Sequence, residues 1–324
     1  MNAGWANATR MAVLGATLFS ACAARAADTI IVGAVGSAST NLWPVHIGIE
    51  KGFFSAEGLT IDLVYAQSNT AVVQQLAAGS VNVSVATGLV DPIRATDKGA
   101  PVAIVRIEVQ APPYALLAKP EIKKIAELKD KTISVGGAKD ITRIFLERML
   151  APHGVNPGEF DIIFSGTTSA RFSALQSGAV DAALLTSPFN FHAESAGFTN
   201  LGMTMQYVRD LPFSGVIVNR NWARANPSDA ERFVAAYTRS IGWFRDAQNR
   251  EEAVKIMVAV SGLNSQDVEK GYDFLHDGEF FEPTGIVSRS RLTNLVKTLR
   301  DLGDIEGSTD VDRLLMPTFT HVSD

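Results

Sequence analysis

The sequence predicts an α/β protein made of two similar lobes that face each other across a cleft. One stretch occurs twice. Gln75–Thr87, QLAAGSVNVSVAT, returns ninety-nine residues later as Ala174–Thr186, ALQSGAVDAALLT, with Leu76 on Leu175, Gly79 on Gly178, Asn82 on Asp181 and Thr87 on Thr186. The register also extends upstream. Ile61–Val64 falls opposite Phe160–Ile163 at the same offset, and Val35-Gly36-Ser37 opposite Val135-Gly136-Gly137 at one hundred. From Pro227 onward the pattern is purely helical, so the duplication is followed by a tail of another kind. In each copy a helix ends on a Gly, which supplies the left-handed residue that terminates it. The run of small and β-branched residues that follows is what a strand buried on both faces requires.

Taken in order, Thr29–Val35 reads as a strand, and Gly36 to Asn41 as a polar turn into a helix that carries Trp43 and stops at Gly52. Strand Thr60–Tyr65, helix Asn69–Ala78 and the first repeat strand complete the unit. Asp91-Pro92 sets an N-cap with Pro in the first turn of the next helix, before strand Pro101–Val109. Gln110-Ala111-Pro112-Pro113 then breaks the pattern, and Tyr114–Ala118 resumes as a strand, the first crossing between lobes. Ile125–Leu128 opens the second unit: strand Lys131–Val135, helix Ile141–Leu150, strand Phe160–Phe164, loop Ser165–Ser169, helix Ala170–Gln176, the second repeat strand and a short helix Asn190–Ala196. Leu211 to Gly215 leads into Val216–Asn219, the second crossing. These crossings divide the chain into residues 27–111 with 213–324 as lobe 1, and 112–212 as lobe 2. The tail reads as four amphipathic helices, Ser228–Asn249, Glu251–Val260, Ser265–Asp277 and Ser288–Leu302, expected to pack around the first lobe.

A chain of 324 residues is long for one domain and comfortable for two. With 29 basic against 34 acidic residues and no basic block, the composition argues against nucleic acid as a partner. Residues 1–26 have the look of an export signal: Arg10, the small apolar run Met11–Ala24 and an A-x-A cleavage site at Ala24-Arg25-Ala26. Without Arg10 and Arg25 there remain 27 basic residues, a net charge near −7. Cys22 is the single cysteine. Lipidation there is the weaker alternative, because Phe19 stands where an aliphatic residue is preferred. Cleavage after Ala26 leaves no thiol and no disulfide.

In a parallel α/β sheet the strand C-termini and helix N-termini gather on one edge, where ligands bind. The residues placed there are Ser37, Ser39, Thr40, Asn41, Thr87, Gly88, Gly137, Ala138, Lys139, Asp140, Thr142, Thr186, Ser187 and Ser214, with Ser165 to Ser169 nearby. Hydroxyls and free N–H groups converging from two lobes suit a small anion or a neutral polar group, since each helix N-terminus contributes about 0.3–1 kcal/mol toward negative charge. Ser and Thr are also ordinary N-caps, and it is their recurrence at one structural step in both halves that points to a site. Trp43, Phe189 and Phe213 are placed to cover an apolar part of the ligand. Lys139 and Arg171 read as solvated surface cations. Catalysis finds no support: there is no G-x-S-x-G elbow, and His46, His153, His192, His276 and His321 lack the spacing of a metal site. Gly33-Ala34-Val35-Gly36 lacks the third Gly of a dinucleotide fingerprint. No cofactor and no metal are expected.

His46 to Leu59, HIGIEKGFFSAEGL, together with the Leu76–Gly79 helix end, resembles the nitrate/sulfonate/taurine family of periplasmic substrate-binding proteins of ABC transporters. Gly136–Leu150 with Gly154, and Leu175–Pro188 with Gly197-Phe198, are similar to that family's second lobe, so the resemblance spans Thr29 to Gly202. It implies a type II periplasmic binding protein fold, two Rossmann-like lobes joined by two crossover strands. It also implies a monomeric, periplasmic receptor that closes on a small-molecule solute and docks on an ABC permease, and through it on the ATPase. The family's ligand loops fall on Ser37 to Asn41, Thr87-Gly88, Gly137 to Thr142 and Thr186-Ser187. Two alternatives share the fold: an enzyme like the thiamine-pyrimidine synthases or an aryl-sulfinate desulfinase, which carry cysteines at their sites, and a ligand-sensing receptor domain.

Overall fold

The computed structural model describes residues 1, 28–306 and 309–323; positions 2–26 of the expected export signal, Cys22 among them, lie outside the described residues. The first unit runs β1 (Asp28–Val35), α1 (Trp43–Glu50), α2 (Phe53–Ala56), β2 (Leu59–Ala66), α3 (Asn69–Ala78), β3 (Val83–Gly88), α4 (Val90–Asp97) and β4 (Val102–Val109). The second runs β5 (Tyr114–Ala118), β6 (Thr132–Val135), α5 (Ile141–Leu150), β7 (Asp161–Phe164), α6 (Thr168–Gln176), β8 (Ala182–Thr186), α7 (Phe189–Ser195) and β9 (Thr199–Met203). β10 (Ser214–Asn219) and the helices α8 (Arg220–Ala225), α9 (Pro227–Arg245), α10 (Arg250–Ser261), α11 (Ser265–Asp277) and α12 (Arg289–Asp301) follow.

Two five-stranded sheets result, ordered β2-β1-β3-β10-β4 and β7-β6-β8-β5-β9. Each has three parallel strands at one side and an antiparallel fourth strand, β10 in the first sheet and β5 in the second. That fourth strand is the one that follows a passage between the sheets: β5 comes directly after β4, and β10 after β9. The duplicated stretches are α3–β3 and α6–β8. Gly79 takes a left-handed φ of 80° at the end of α3, and Gly178 matches it with 79°. Strands β4, β5, β8 and β10 are buried at every position; the short apolar runs of β5 and β8 suit burial on both faces, whereas β4 also buries Arg106 and Glu108.

Three sequence expectations need correction. Thr199–Met203 forms the edge strand β9, which is not among the expected elements; it is half-exposed along most of its length and shows no alternation. The tail is not purely helical, since Val287–Ser288 and Val322–Ser323 pair as two short parallel strands. Nor does the tail pack only on the first unit. Asp267 of α11 bonds His192 Nδ1 at 2.8 Å and Ser195 Oγ at 3.0 Å on α7 of the second unit. Among the described residues no helix is long and apolar enough to cross a membrane.

Candidate functional site

A cavity of about 60 Å³ lies where the two sheets present the ends of β1, β3, β6 and β8 to each other. A single water needs roughly 10–15 Å³ on this measure, so the space admits a solute of a few non-hydrogen atoms. Both units wall it. The first contributes Ser39, Asn41, Asn69, Ala86 and Gly88, and the second Asp140, Thr167, Thr168, Arg171 and Thr186. Tyr114, Phe189 and Phe213 supply aromatic surface.

Contacts across the gap close it on several sides. Asn69 Nδ2 donates to Asp140 Oδ2 at 2.9 Å, and Asn69 Oδ1 accepts the Gly88 N–H at 3.2 Å. Thr40 donates to the Ser187 carbonyl from its hydroxyl at 2.8 Å and from its backbone at 3.1 Å. Ser39 and Thr186 hydroxyls meet at 3.4 Å, and Thr186 also meets Thr168 at 3.2 Å. Gly166, with φ +68°, lies so near Gln67 that a Cβ there would be 2.4 Å from the Gln67 carbonyl oxygen. A side chain at 166 would hold the two units apart.

The positive charge on the cavity wall comes from Arg171. Its side chain is 3% exposed. Its Nε donates to the Leu184 carbonyl at 2.7 Å, one terminal nitrogen to Thr168 Oγ1 at 2.8 Å and the other to the Gly166 carbonyl. All three acceptors are neutral, and no carboxylate among the described residues forms an ion pair with it. The guanidinium sits 5.6 Å from the centre of the Tyr114 ring. Burial pushes the Tyr114 hydroxyl up to about 12, with Arg171 opposing the shift. A buried cation whose hydrogen bonds go only to dipoles has an uncompensated desolvation penalty. Asp140 is the one carboxylate on the described wall. It caps α5, with Oδ1 accepting the Thr142 N–H at 2.9 Å. Asp140→Ala is expected to lower stability by about 0.5–2 kcal/mol through the lost cap, and to enlarge the radius of gyration in scattering through the lost Asn69 bond. Unchanged values of both would contradict this role.

The structure sorts the residues that the sequence pointed to. Ser39, Asn41, Gly88, Asp140, Thr186, Phe189 and Phe213 come together on the cavity wall, and Asn41 keeps a buried Oδ1 with no partner. Ser37 is exposed at the rim. Gly137, Ala138 and Lys139 form an outer loop, where the Lys139 carbonyl accepts from Arg94 of α4 and its ammonium lies 3.7 Å from Asp304. Thr40, Thr142 and Ser187 stand one layer back. Thr142 Oγ1 accepts the Gly136 N–H at 2.9 Å, and the Ser187 hydroxyl is buried without a partner. Thr87 is fully buried and donates to the Val85 carbonyl at 3.2 Å; Ser214 is fully buried on β10.

Trp43 is a correction. It does not face the cavity but packs between Phe244 and Tyr272, at 5.2 and 5.8 Å, with its Nε1–H donating to the Ala253 carbonyl at 2.7 Å. The tail helices α9, α10 and α11 supply that pocket. Arg171 is the second correction, being buried instead of solvated. The Ser165 to Ser169 loop reaches the wall through Thr167 and Thr168, while Asn69 and Tyr114 line the cavity outside the residues the sequence points to. One signal in the sequence could have found Arg171: the repeat offset sets it on Val72, which is fully buried, so the position is an interior one in both copies.

Comparison with known proteins agrees with this geometry. No curated protein matches the sequence. Among solved structures, the alkanesulfonate-binding protein SsuA from Xanthomonas axonopodis pv. citri, bound to MOPS, is 17% identical with a TM-score of 0.73, covering 91% of this chain and 98% of that one. The periplasmic nitrate-binding protein NrtA from Synechocystis PCC 6803 is 18% identical with a TM-score of 0.66, over 76% and 70%. The desulfurization enzyme DSZB is 15% identical with a TM-score of 0.68, over 90% and 97%. At these identities the likeness is one of fold. The family model described as "NMT1/THI5 like" matches residues 39–253, a span that takes in every strand of the two five-stranded sheets except β1 and most of the cavity wall. The chain therefore belongs to the NMT1/THI5-like family, and its fold is that of the sulfonate- and nitrate-binding periplasmic proteins.

Proposed function

We propose that this protein is the solute-binding component of an ABC importer: exported to the periplasm, it holds a small anion (a sulfonate, carboxylate or similar group) between its lobes and delivers it to the membrane permease. The observation that carries this reading is Arg171, buried at the wall of an interlobe cavity with only neutral acceptors around it. An entering anion would give the guanidinium its missing counter-charge, and charge-assisted hydrogen bonds are roughly twice as strong as neutral ones. Hydroxyls of Ser39, Thr168 and Thr186 stand beside it as further donors. The wall is also small, which favours short solutes over bulky ones.

In this reading the lobes comprise residues 27–111 with 213–324, and 112–212. They hinge near Gln110–Tyr114 and Leu211–Gly215, and the solute drives closure because its contacts are complete only when both lobes meet. The protein acts as a monomer, and the ATPase is engaged through the permease. DSZB demonstrates that this architecture also serves an enzyme, and fold alone does not decide function. Binding without chemistry is favoured because the described cavity wall carries neither Cys nor His.

A thermal-shift screen with ethanesulfonate, taurine, acetate, nitrate and a hydroxymethylpyrimidine tests the proposal. Binding at a hundred times the dissociation constant stabilises by about 2.7 kcal/mol, a rise of several degrees. At least one anion of the set is expected to produce it and to be recovered unaltered. No rise with any of them, or a solute returned as product, contradicts the proposal.

A further inference from the structure

We infer that Glu108, which does not line the cavity, is the positioning residue of the cavity's first-unit wall: its carboxylate holds the bulge in β3 that turns Ala86 and the Thr87-Gly88 backbone toward the solute space. The inference rests on the reading of that space as the solute site.

Three irregularities meet at β10, one against β3 and two against β4, and the two that flank Gly215 bear on the cavity wall. Against β3, Ile217 pairs with Ser84 and Gly215 with Thr87, so Val85 and Ala86 together oppose Val216. β3 therefore has one residue too many at this point, a β-bulge. Against β4, Ser214 pairs with Val109 and Gly215 with Ile107, which leaves Glu108 as the extra residue on that side. Gly215 lies between the two bulges, where a Cβ would sit 2.5 Å from the Arg106 carbonyl oxygen. Ala86 takes a φ of 51°, a left-handed conformation that residues with a Cβ adopt rarely. Something must hold it there.

Glu108 is placed to do so. Its side chain is fully buried. Oε2 accepts the Ala86 N–H at 2.7 Å, and Oε1 accepts the Tyr237 hydroxyl at 2.6 Å. The charged group next to it is Arg106, whose guanidinium donates to Thr238 Oγ1 and to the Glu282 carbonyl at 2.5 Å, and lies 5.9 Å from the centre of the Tyr237 ring. The Glu282 carboxylate in turn bonds the Ile286 N–H at 2.8 Å. Ala86 and Gly88 are on the cavity wall. From Gly88 the chain of bonds continues through Asn69 to Asp140 of the second unit. A change at Glu108 thus reaches both the wall and the interlobe contact through Ala86. Burial, opposed by the Tyr237 and Ala86 hydrogen bonds and by Arg106, pushes the Glu108 carboxyl up to about 7, so its charge changes within an accessible pH range.

Amide NMR spectra of the full chain, recorded without solute from pH 5 to 9, test the inference. In the wild type the Ala86 amide is expected to titrate near neutral pH, and the Gly88 amide and Asn69 side-chain amide to move with the same midpoint. Glu108→Gln is expected to abolish that shared titration and displace all three signals. Tyr237→Phe keeps the Ala86 bond but removes a donor to the carboxylate, so the midpoint should rise while the co-titration persists. An Ala86 signal that titrates while Gly88 and Asn69 stay fixed, or Gly88 and Asn69 at wild-type positions in Glu108→Gln, would reduce Glu108 to a brace of the sheet and overturn the inference. Should Glu108→Gln not fold, the wild-type titration decides alone. Because no solute is present, a failed solute screen would count against the importer reading and leave this result standing.

Discussion

Replacing Arg171 with alanine is expected to remove solute binding. Truncating one partner of a buried, hydrogen-bonded charge pair weakens binding by about 2–5 kcal/mol, which is about thirty-fold at the lower limit. The unliganded protein should lose stability too, because the Leu184 and Gly166 carbonyls lose their donor and an unsatisfied buried acceptor costs about 1–3 kcal/mol. Arg171→Lys separates the two effects. It keeps the charge, but a single ammonium cannot serve three acceptors in the fixed fork that a guanidinium provides. Binding in the lysine variant should therefore be intermediate. Calorimetric titration of wild type, Arg171→Lys and Arg171→Ala with the anion that gives the largest thermal shift reads this directly, and equal affinity in all three would contradict the role given to Arg171.

Trp43→Ala is expected to give the opposite signature: a large loss of stability with the affinity of the folded protein unchanged. Truncating a buried Trp costs about 3–5 kcal/mol, and here the Ala253 carbonyl is stranded as well. Trp43→Phe should fall between, keeping ring contact with Phe244 and Tyr272 while losing the Nε1 donor. Denaturant unfolding beside a binding isotherm checks both variants. Weakened binding at unchanged stability would move Trp43 back to the cavity.

These two residues show what a sequence can and cannot reveal here. The duplicated order of the sheets is readable because Gly79 and Gly178 end equivalent helices and the strands after them are runs of small and β-branched residues that close on a Thr. Both are local properties. The destination of Trp43 was not readable, since its pocket is assembled by helices two hundred residues later in the chain. The burial of Arg171 is hidden for a related reason: a charge on an amphipathic helix is usually solvated, and only the repeat, which sets it on buried Val72, marks the position as interior. The bulges at Ala86 and Glu108 left no trace in composition, because Ala in a left-handed conformation is fixed by a carboxylate on another strand. β9 escaped notice because a half-exposed edge strand has neither an unbroken apolar run nor alternation. About half of the residues assigned to the site from sequence do reach the cavity. The others, such as Thr87 and Thr142, lie at the right strand or helix ends but turn their hydroxyls to neighbouring backbone and capping groups.

A crystal structure of the protein loaded with its most stabilising anion tests the central claim most directly. The account expects that anion between the two sheets, within hydrogen-bond distance of the Arg171 guanidinium and of at least one hydroxyl from each unit. The same anion bound on an outer face, with Arg171 still bonded only to Leu184, Gly166 and Thr168, would contradict it.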